Sequence, residues 1–480
     1  MGLTTFTIDF AELKSNDSLR LWVPFILPDS KYKYEKIINF LSLCESGSRP
    51  KGGINDEDEG EAISLGGEQI GVDGNLDLSK IPYVSFDFYD NSTKGKVQDN
   101  DILICKDGAL TGKTCWVEFS LFPSSQVMVN EHVYIVRGNS EINQKFLFYY
   151  TKTDLFQSQI KDLAYKKKAQ PGLNLDHLKK IKIPLIPKSE QAKIVAQIEP
   201  IENRIKELKD EIENPQEIIN MVFAKEFGFN ENLFNEFGKG MTAGTQIAQD
   251  RGLRVFKTDF SELSRGNILR FSTRFHNPPT KKIMSFLDSL DTLQVKDILL
   301  EPVHRGASPK YKPDGDVPVV KTGHLKNGSI EITQEEFVDS DFYNSSVRSQ
   351  IKNGDILIAS TGKVSLGKID LLEEEQDLVA DSHVSIIRID DNKYSRQFFT
   401  YFFRCILGYF QIERDFTGAT NQIELYADEI SNFQIPNIPL KAQQKIVDEV
   451  KSELDKQEAI KKKIEKERNK IDEIIKKAIK

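Results

Sequence analysis

Hydrophobic residues follow helical spacing in two long segments of the chain. In the first segment, apolar side chains alternate between steps of four and three residues, at Ile194, Ile198, Ile201, Ile205, Leu208 and Ile212. In the second, Val450, Gln457, Ile464, Ile471 and Ala478 recur every seven residues, with Ile460 and Ile474 at the intervening positions. Both patterns are typical of the apolar seam of a coiled coil. Because each seam would expose apolar area on its own, we expect the two helices to pack as an antiparallel pair.

Shorter hydrophobic runs before each long helix have the length and composition of strands. They cover 101–105 and 127–136 in the first half and 355–359 and 378–387 in the second, which places His132 and His383 in strands. An aromatic helical stretch follows each pair, from Lys145 and from Arg396. We expect these aromatic side chains to form core and not a platform for stacking bases.

The two halves repeat one another at a fixed offset. Ile183, Pro184, Gln191, Ile194 and Val195 recur 252 residues later as Ile435, Pro436, Gln443, Ile446 and Val447. The match extends to the front of each half, where 6–13 resembles 256–263. A period near half the chain predicts two similar globular domains. We therefore predict an α+β fold with domains at 1–187 and 256–438, a central helix at 188–226, a linker at 227–255 and a C-terminal helix at 439–480.

Composition narrows the class of protein. The chain has 480 residues, 39% of them hydrophobic and 29% charged, and a formal net charge of −8. No apolar stretch is long enough to span a membrane and residues 1–10 lack the features of a signal peptide, so we expect a cytoplasmic protein without a membrane partner. Four cysteines without Cys-x-x-Cys spacing predict buried thiols. The acidic total argues against a nucleic-acid binder that acts alone.

Three motif fragments fall short of catalytic or cofactor sites. Residues 107–114 resemble a phosphate-binding loop but have one residue too few between the glycines, and the repeat copy at 362–369 has Ile369 where a metal-binding hydroxyl is needed. A strand-to-strand turn and a phosphate contact both remain open for these segments. Asn277-Pro278-Pro279 resembles a base-holding loop of amino-methyltransferases, but Thr280 replaces the stacking aromatic. No metal-ligand cluster and no nucleophile with its base can be assembled, which favours a binding scaffold.

The repeated order of parts resembles the specificity subunit of type I restriction-modification systems. The motif stands as 175–187 followed by Ser189-Glu190-Gln191-Ala192-Lys193-Ile194-Val195 in the first half. The second half departs from it at Asn437 and at Ala442 but keeps Ile435, Pro436, Gln443 and Ile446. The resemblance covers essentially the whole chain.

This resemblance implies two target recognition domains that each read one part of a bipartite double-stranded DNA sequence. The two helices would form the spacer between them and dock type I methyltransferase subunits, expected to be two. Restriction subunits would join through the complex. The resemblance implies no catalytic residue, metal or cofactor on this chain, and it places S-adenosylmethionine, ATP and Mg on the partner subunits.

The residues that read bases cannot be carried over, because these domains vary between family members. Basic and amide residues on exposed-looking loops are therefore the candidates, since Arg and Lys suit guanine and phosphate and Gln suits adenine. The candidates are Arg49, Lys51, Gln69, Lys106, Lys113, Lys166, Lys167, Lys168, Arg305, Lys310, Lys321, His324, Lys326, Lys363 and Lys368.

Two other readings stay open at this point. One is a protein-interaction scaffold without a DNA role, for which the charge of −8 is the main support. The other is the specificity chain of a methylation-only or phage-defence complex, which the sequence does not distinguish from full restriction.

Overall fold

The computed structural model describes residues 25–51, 62–71, 74–164, 172–229, 259–263, 271, 275–276, 278–332, 336–419 and 422–480. The chain divides into two compact units, one made of Met1–Asp210 with Lys462–Lys480 and one of Glu211–Lys461. Lys166 to Lys168, the N-terminal match at 6–13 and nearly all of the expected linker lie outside the described residues.

The first unit contains nine strands and five α-helices among its described residues, besides the end of the last helix of the chain. The strands are β1 Tyr34–Lys36, β2 Leu41–Ser46, β3 Ala62–Leu65, β4 Tyr83–Val84, β5 Ile102–Cys105, β6 Thr114–Trp116, β7 Val127–Val129, β8 Val133–Gly138 and β9 Lys182–Pro184. The helices are α1 Phe86–Asn91, α2 Gln144–Lys152, α3 Asp154–Ala164, α4 Leu175–Leu178 and α5 Lys188–Asp210. One antiparallel sheet has the order β2-β8-β5-β6, a second sheet is β4-β3-β7, and β1 pairs with β9.

The second unit repeats this order with additional short elements. Its strands are β10 Thr292–Gln294, β11 His304–Arg305, β12 Val317–Val320, β13 Phe337–Val338, β14 Gln350–Ile351, β15 Ile356–Ala359, β16 Ile369–Leu371, β17 Leu378–Ala380, β18 Val384–Ile387, β19 Thr417–Ala419, β20 Gln422–Glu424 and β21 Gln434–Pro436. Its helices are α6 Pro215–Phe227, α7 Phe260–Leu263, α8 Pro278–Asp288, α9 Ser340–Ser345, α10 Arg396–Arg404, α11 Ile406–Asp415, α12 Ala427–Ser431 and α13 Leu440–Ile479. The sheets are β11-β18-β15-β16 and β13-β12-β17-β14, and β10 pairs with β21.

Strand register shows which positions of the two units correspond. Ser64 pairs in parallel with Met128, and Val319 pairs in parallel with Val379, so Ser64 and Val319 occupy the same place. The prediction of two tandem mixed domains is therefore confirmed. Loop residues can be matched in the same way from one unit to the other.

The glutamine of the repeated motif is a buried clamp in both units. The Gln191 side chain accepts from the backbone N–H of Asn143 at 2.7 Å and donates to the carbonyl of Ile186 at 2.7 Å. Gln443 makes the same two bonds with Ser395 and Ile438, each at 2.8 Å. Since both glutamines are buried, the bonds satisfy polar groups that would otherwise be costly. Each long helix is thus fixed to the start of the aromatic helix of its unit.

A buried carboxylate with an arginine forms a second repeated pair. The Arg137 guanidinium donates to Asp101 at 2.7 and 2.8 Å, and Arg388 donates to Asp355 at 2.8 and 2.9 Å. The bidentate bonds to the carboxylate raise the pKa of each arginine. These pairs tie neighbouring strands together, so both arginines serve the framework.

The aromatic helices form core, as predicted. On α2, Phe146, Tyr149 and Tyr150 are buried, and on α10, four phenylalanines are buried together with residues of α6 and α13. Cys105, Cys115 and Cys405 are also buried, whereas Cys44 is partly exposed. None of the described helices is long and apolar enough to cross a membrane.

The central helix expected at 188–226 is two helices. The first ends at Asp210, and the second begins at Pro215 with the Asn214 side chain accepting from the N–H of Gln216. Proline disfavours a helical conformation in the residue before it, and Asn is a strong N-cap, so the chain breaks there. Ile212 lies in the break and is 38% exposed, which removes it from the expected seam.

The other seam positions differ in burial. Ile194, Ile198, Ile205 and Leu208 of α5 are buried and Ile201 is partly exposed. On α13, Val450, Ile464 and Ile471 are buried, while Ile460 and Ile474 are partly exposed. The antiparallel pairing of these two helices stays a prediction.

Candidate DNA interface

Three turns of the first unit converge on one cleft. They are the 3-10 turn Gly67–Gln69 after β3, the 3-10 turn Gly108–Leu110 between β5 and β6, and the turn before β8 that contains His132. The cleft has a volume of about 410 Å³. The segment that resembles a phosphate-binding loop is therefore a strand-to-strand turn. His132 precedes its strand instead of lying in it, and so does His383.

An imidazole and a carboxylate face each other in this cleft. His132 Nδ1 lies 2.9 and 3.1 Å from the two carboxylate oxygens of Asp107. The backbone N–H of His132 donates to the side chain of Asn130 at 2.9 Å, and its carbonyl accepts from the N–H of Lys106 at 2.8 Å. These bonds fix the backbone of His132, while the side chains of His132 and Asp107 remain 40% and 42% exposed.

Among the predicted residues of the first unit, two lie beside this pair. Arg49 forms an ion pair with Glu131 at 2.6 Å, and Glu131 lies 3.4 Å from His132 Nε2. Lys106 donates to the carbonyl of Glu131 at 3.1 Å and lies over the ring of Tyr134. Lys51 is exposed and Lys113 is partly exposed.

The side chain of Gln69 stabilises its own turn through hydrogen bonds to the backbone. Its oxygen accepts from the N–H of Gly66 at 2.9 Å, its nitrogen donates to the carbonyl of Lys80 at 3.1 Å, and it is 5% exposed. Both halves of the amide are used within the turn, so Gln69 has a structural role there, and its contact with DNA stays a prediction.

His324 takes the equivalent place in the second unit. Its Nδ1 accepts from the backbone N–H of Lys321 at 3.2 Å, and it is 5% exposed. Burial lowers the pKa of His324, and the nearby Lys326 and Lys321 lower it further. A neutral, buried imidazole at this position supports the turn, and the predicted DNA contact of His324 stays a prediction.

Lysines flank the same turn of the second unit. Lys321 pairs with Glu336 and lies 4.3 Å from the ring centroid of Tyr311. Lys326 is exposed and donates to the carbonyl of Gly323 at 2.7 Å. Burial lowers the pKa of Lys368, and the charge of Lys326 lowers it further. Lys326 and Lys368 therefore form a positive surface that suits a phosphate.

The remaining predicted residues of the second unit divide into one anchored and two exposed side chains. Arg305 donates to the carbonyl of Leu425 at 3.0 Å, lies 3.6 Å from Glu424 and stacks over Tyr426. Its charge is largely directed at the hairpin β19–β20 and the residues after it. Lys310 and Lys363 are exposed.

Asp370 was missed by the sequence reasoning and fixes the loop that carries Lys326. Its carboxylate accepts from the backbone N–H groups of Lys326 at 2.8 Å, Asn327 at 3.0 Å and Gly328. Burial raises the pKa of Asp370 to about 6, and the three backbone bonds and Arg404 act in the opposite direction. The equivalent position in the first unit is Cys115, so this clamp belongs to the second unit.

Asp107 was also missed as a separate functional residue. In the sequence, Asp107 stands out only as part of an Asp-Gly pair, which is common in turns. Such a pair does not indicate that the carboxylate faces a histidine of another turn. Among the described residues, no group of three or more His, Cys, Asp or Glu side chains is placed to hold a metal ion.

Comparison with known structures finds proteins of type I restriction-modification systems with low sequence identity. The S subunit of a type I restriction-modification system from M. genitalium matches 96% of this chain and 99% of its own, with 15% identity and a TM-score of 0.41. A second structure comes from work on the complex assembly and conformational transition of the type I R-M system. It matches 95% of this chain and 99% of its own, with 14% identity and a TM-score of 0.45. The HsdS subunit from Thermoanaerobacter tengcongensis matches 95% and 98%, with 14% identity and a TM-score of 0.32.

The comparison with protein families gives the assignment. A search of curated proteins finds no match. The sequence profile of the type I restriction modification DNA specificity domain matches residues 45–214 and again residues 288–469. These two matches fall on the two halves of the duplication and together cover most of the chain. The chain therefore belongs to the family of type I restriction-modification DNA specificity domains.

Proposed function

We propose that this chain is the specificity subunit of a type I restriction-modification complex in which each unit reads one half of a bipartite DNA target. The observation that carries the proposal is a repeated framework with different loop side chains. Gln191 and Gln443 make the same clamp in both units. At equivalent loop positions, by contrast, Asp107 corresponds to Thr361.

Differences of this kind suit the reading of two unlike half-sites. Gly66 of the first unit corresponds to Lys321 of the second, because each N–H donates to the side chain that supports its turn. Replacing a glycine with a lysine, or a carboxylate with a hydroxyl, changes which base edge a loop can bind. The framework then supplies position while the loops supply specificity.

The long helices would set the distance between the half-sites and dock the methyltransferase subunits. Helix α13 has 40 residues, and its buried positions at Val450, Gln457, Ile464 and Ile471 keep a seven-residue spacing. Each residue of α-helix adds about 1.5 Å, so helix length translates directly into distance along DNA. S-adenosylmethionine, ATP and Mg are placed on the methyltransferase and restriction subunits in this proposal.

The net charge of −8 is compatible with this role if DNA is held jointly. Affinity for DNA comes largely from phosphate contacts made by Lys and Arg. Partner subunits that enclose the DNA would contribute most of these contacts. The described loops of this chain then need only a few cations, such as Lys326 and Lys368.

Methylome sequencing of the host with the gene deleted and restored tests the proposal. We expect one two-part methylated motif to disappear on deletion and to return on complementation, because methylation depends on the specificity chain. An unchanged methylome would favour the protein-interaction scaffold and sink the proposal. Challenging both strains with unmethylated phage DNA then separates full restriction from a methylation-only complex.

A further inference from the structure

We propose that the cleft of the first unit reads the exocyclic amino group of one adenine or cytosine through Asp107. This inference rests on the proposed function, and it names the acceptor and the chemical group that it recognises. The amino groups of adenine N6 and cytosine N4 are the donors that the major groove presents, and carboxylates accept from them.

The carboxylate of Asp107 has acceptor capacity left over. An ionised carboxylate offers about four lone-pair sites on two oxygens. Among the described residues, His132 Nδ1 contacts both oxygens and so occupies part of this capacity. The side chain of Asp107 is 42% exposed, so an amino group can approach the free lone pairs from the cleft.

His132 acts here as a positioning residue. Its backbone N–H and carbonyl are bonded to Asn130 and Lys106, and its ring lies between Asp107 at Nδ1 and Glu131 at Nε2. With Nδ1 as the donor, the imidazole holds the carboxylate in one orientation, which a base-reading acceptor requires. Gly108, next to Asp107, has φ +76°, and a Cβ there would meet nothing within 4 Å, so the tip of the turn is open.

A second polar group in the cleft has no hydrogen-bond partner in the described part of the chain. The hydroxyl oxygen of Ser64 is buried without a hydrogen-bond partner among the described residues, and Ser64, which is 0% exposed, lines the cleft. A buried hydroxyl without a hydrogen bond destabilises the fold, and a bound polar ligand can offset this cost. The cleft therefore combines an oriented acceptor with an unused hydroxyl.

The second unit differs from the first at the positions of Asp107 and Ser64. Thr361 Oγ1 lies 2.8 Å from His383 Nδ1 in place of the carboxylate, and Val319 stands where Ser64 does. The imidazole is thus repeated while its partner changes. The acceptor for an amino group belongs to the first unit, and Thr361 provides a matched control position.

Functional-group deletion in the DNA tests this inference. The complete complex is titrated with duplexes that carry its methylome-defined motif, in which each adenine is replaced in turn by purine and each cytosine by 2-pyrimidinone, so that one amino group is missing. We expect one substitution in one half-site to weaken binding by wild type about tenfold to a hundredfold. Asp107→Ala, whose side chain has no acceptor oxygen, should bind the intact duplex and the duplex with that substitution equally.

Two further variants keep the result interpretable. His132→Gln should show a smaller loss of discrimination at the same base, and Thr361→Val should leave that base unaffected. If every amino-group deletion weakens binding by Asp107→Ala as much as binding by wild type, the inference is overturned while the proposed function stands. If wild-type complex does not distinguish the motif from unrelated DNA, the proposed function itself fails.

A variant that does not assemble is replaced by Asp107→Glu, which should assemble but change the discrimination between the intact and the substituted duplex. An unchanged discrimination would again overturn the inference.

Discussion

Single polar side chains decide how each recognition loop is held. In the second unit, Asp370 binds three successive backbone N–H groups of the loop that carries Lys326. Burial raises the pKa of this carboxyl to about 6, so its charged form is costly in the folded protein. The charges of Lys368 and Arg404 interact with this carboxyl, and both favour the carboxylate.

The raised pKa of Asp370 predicts a pH-dependent stability. Between about pH 4 and pH 6, the unfolded chain releases this proton before the folded protein does. Asp370 therefore stabilises the folded protein fully below about pH 4, and this contribution is lost as pH rises through about 6. The loss amounts to at most about 3 kcal/mol in the free energy of unfolding. Asp370→Asn should lack this component. Thermal unfolding of both proteins across this pH range measures the difference.

Asp339→Asn is the control for this measurement. The hydrogen bond from Lys312 lowers the pKa of Asp339, so its contribution should be present above about pH 4 and lost only below it. Parallel loss of stability in wild type and Asp370→Asn from pH 4 to 6 would show that Asp370 does not titrate as expected.

The sequence predicted the framework of the site better than its chemistry. Gln191 and Gln443 stood out because they repeat, and both proved to have one structural role. Gln69 and His324 were chosen because polar residues in loops look exposed, yet their bonds to backbone groups bury them. Asp370 could not be found, because its partners lie on a distant loop and an Ile-Asp-Leu strand predicts a solvent-facing carboxylate.

At the level of elements, the helical pattern was correct over most of its length. The Asn214-Pro215 pair is a sequence signal for the break before Pro215. Our prediction of one continuous helix followed the regular apolar spacing instead of this signal. Ile475 and Ile479 are buried although they fall outside the expected seam. A straight helix drifts by about 20° per heptad relative to a strict seven-residue repeat. Near the end of α13, Ile475 and Ile479, which follow Ile471 in steps of four residues, therefore turn toward the core.

If α5 and α13 act as a spacer, matched insertions should change the gap in the methylated motif. One heptad added to each helix lengthens it by about 10 Å and preserves the buried face. This corresponds to about three base pairs of DNA, at 3.4 Å for each step. Methylome sequencing of the variant should show the same half-sites with a longer gap.

A charge in the buried face provides the contrasting case. Ile205 is 4% exposed, so Ile205→Asp places a carboxylate where desolvation costs several kcal/mol. This variant should lose the two-part motif instead of changing its gap. Altered half-sites, or an unchanged gap after the heptad insertions, would contradict a spacer role.

At the scale of the whole molecule, the net charge of −8 predicts dependence on a partner. The isolated chain should bind duplex DNA weakly and with little preference, and the complex with its methyltransferase should bind the motif specifically. Titrations at two salt concentrations measure both affinities and the number of phosphate contacts. Tight, sequence-specific binding by the chain alone would overturn this expectation.

The last helix of the chain completes the fold of the first unit. The carbonyl of Ile479 accepts from the backbone of Lys31 at 3.1 Å and from the hydroxyl of Ser30 at 3.0 Å, and Lys476 pairs with Asp154 at 3.0 Å. Ile475 and Ile479 are buried in the same unit. During synthesis on the ribosome, this helical segment emerges only after residues 211–461. The first unit is translated first, but it can complete its fold only after the last helix has been made. In a prematurely terminated chain, the first unit lacks this helical segment.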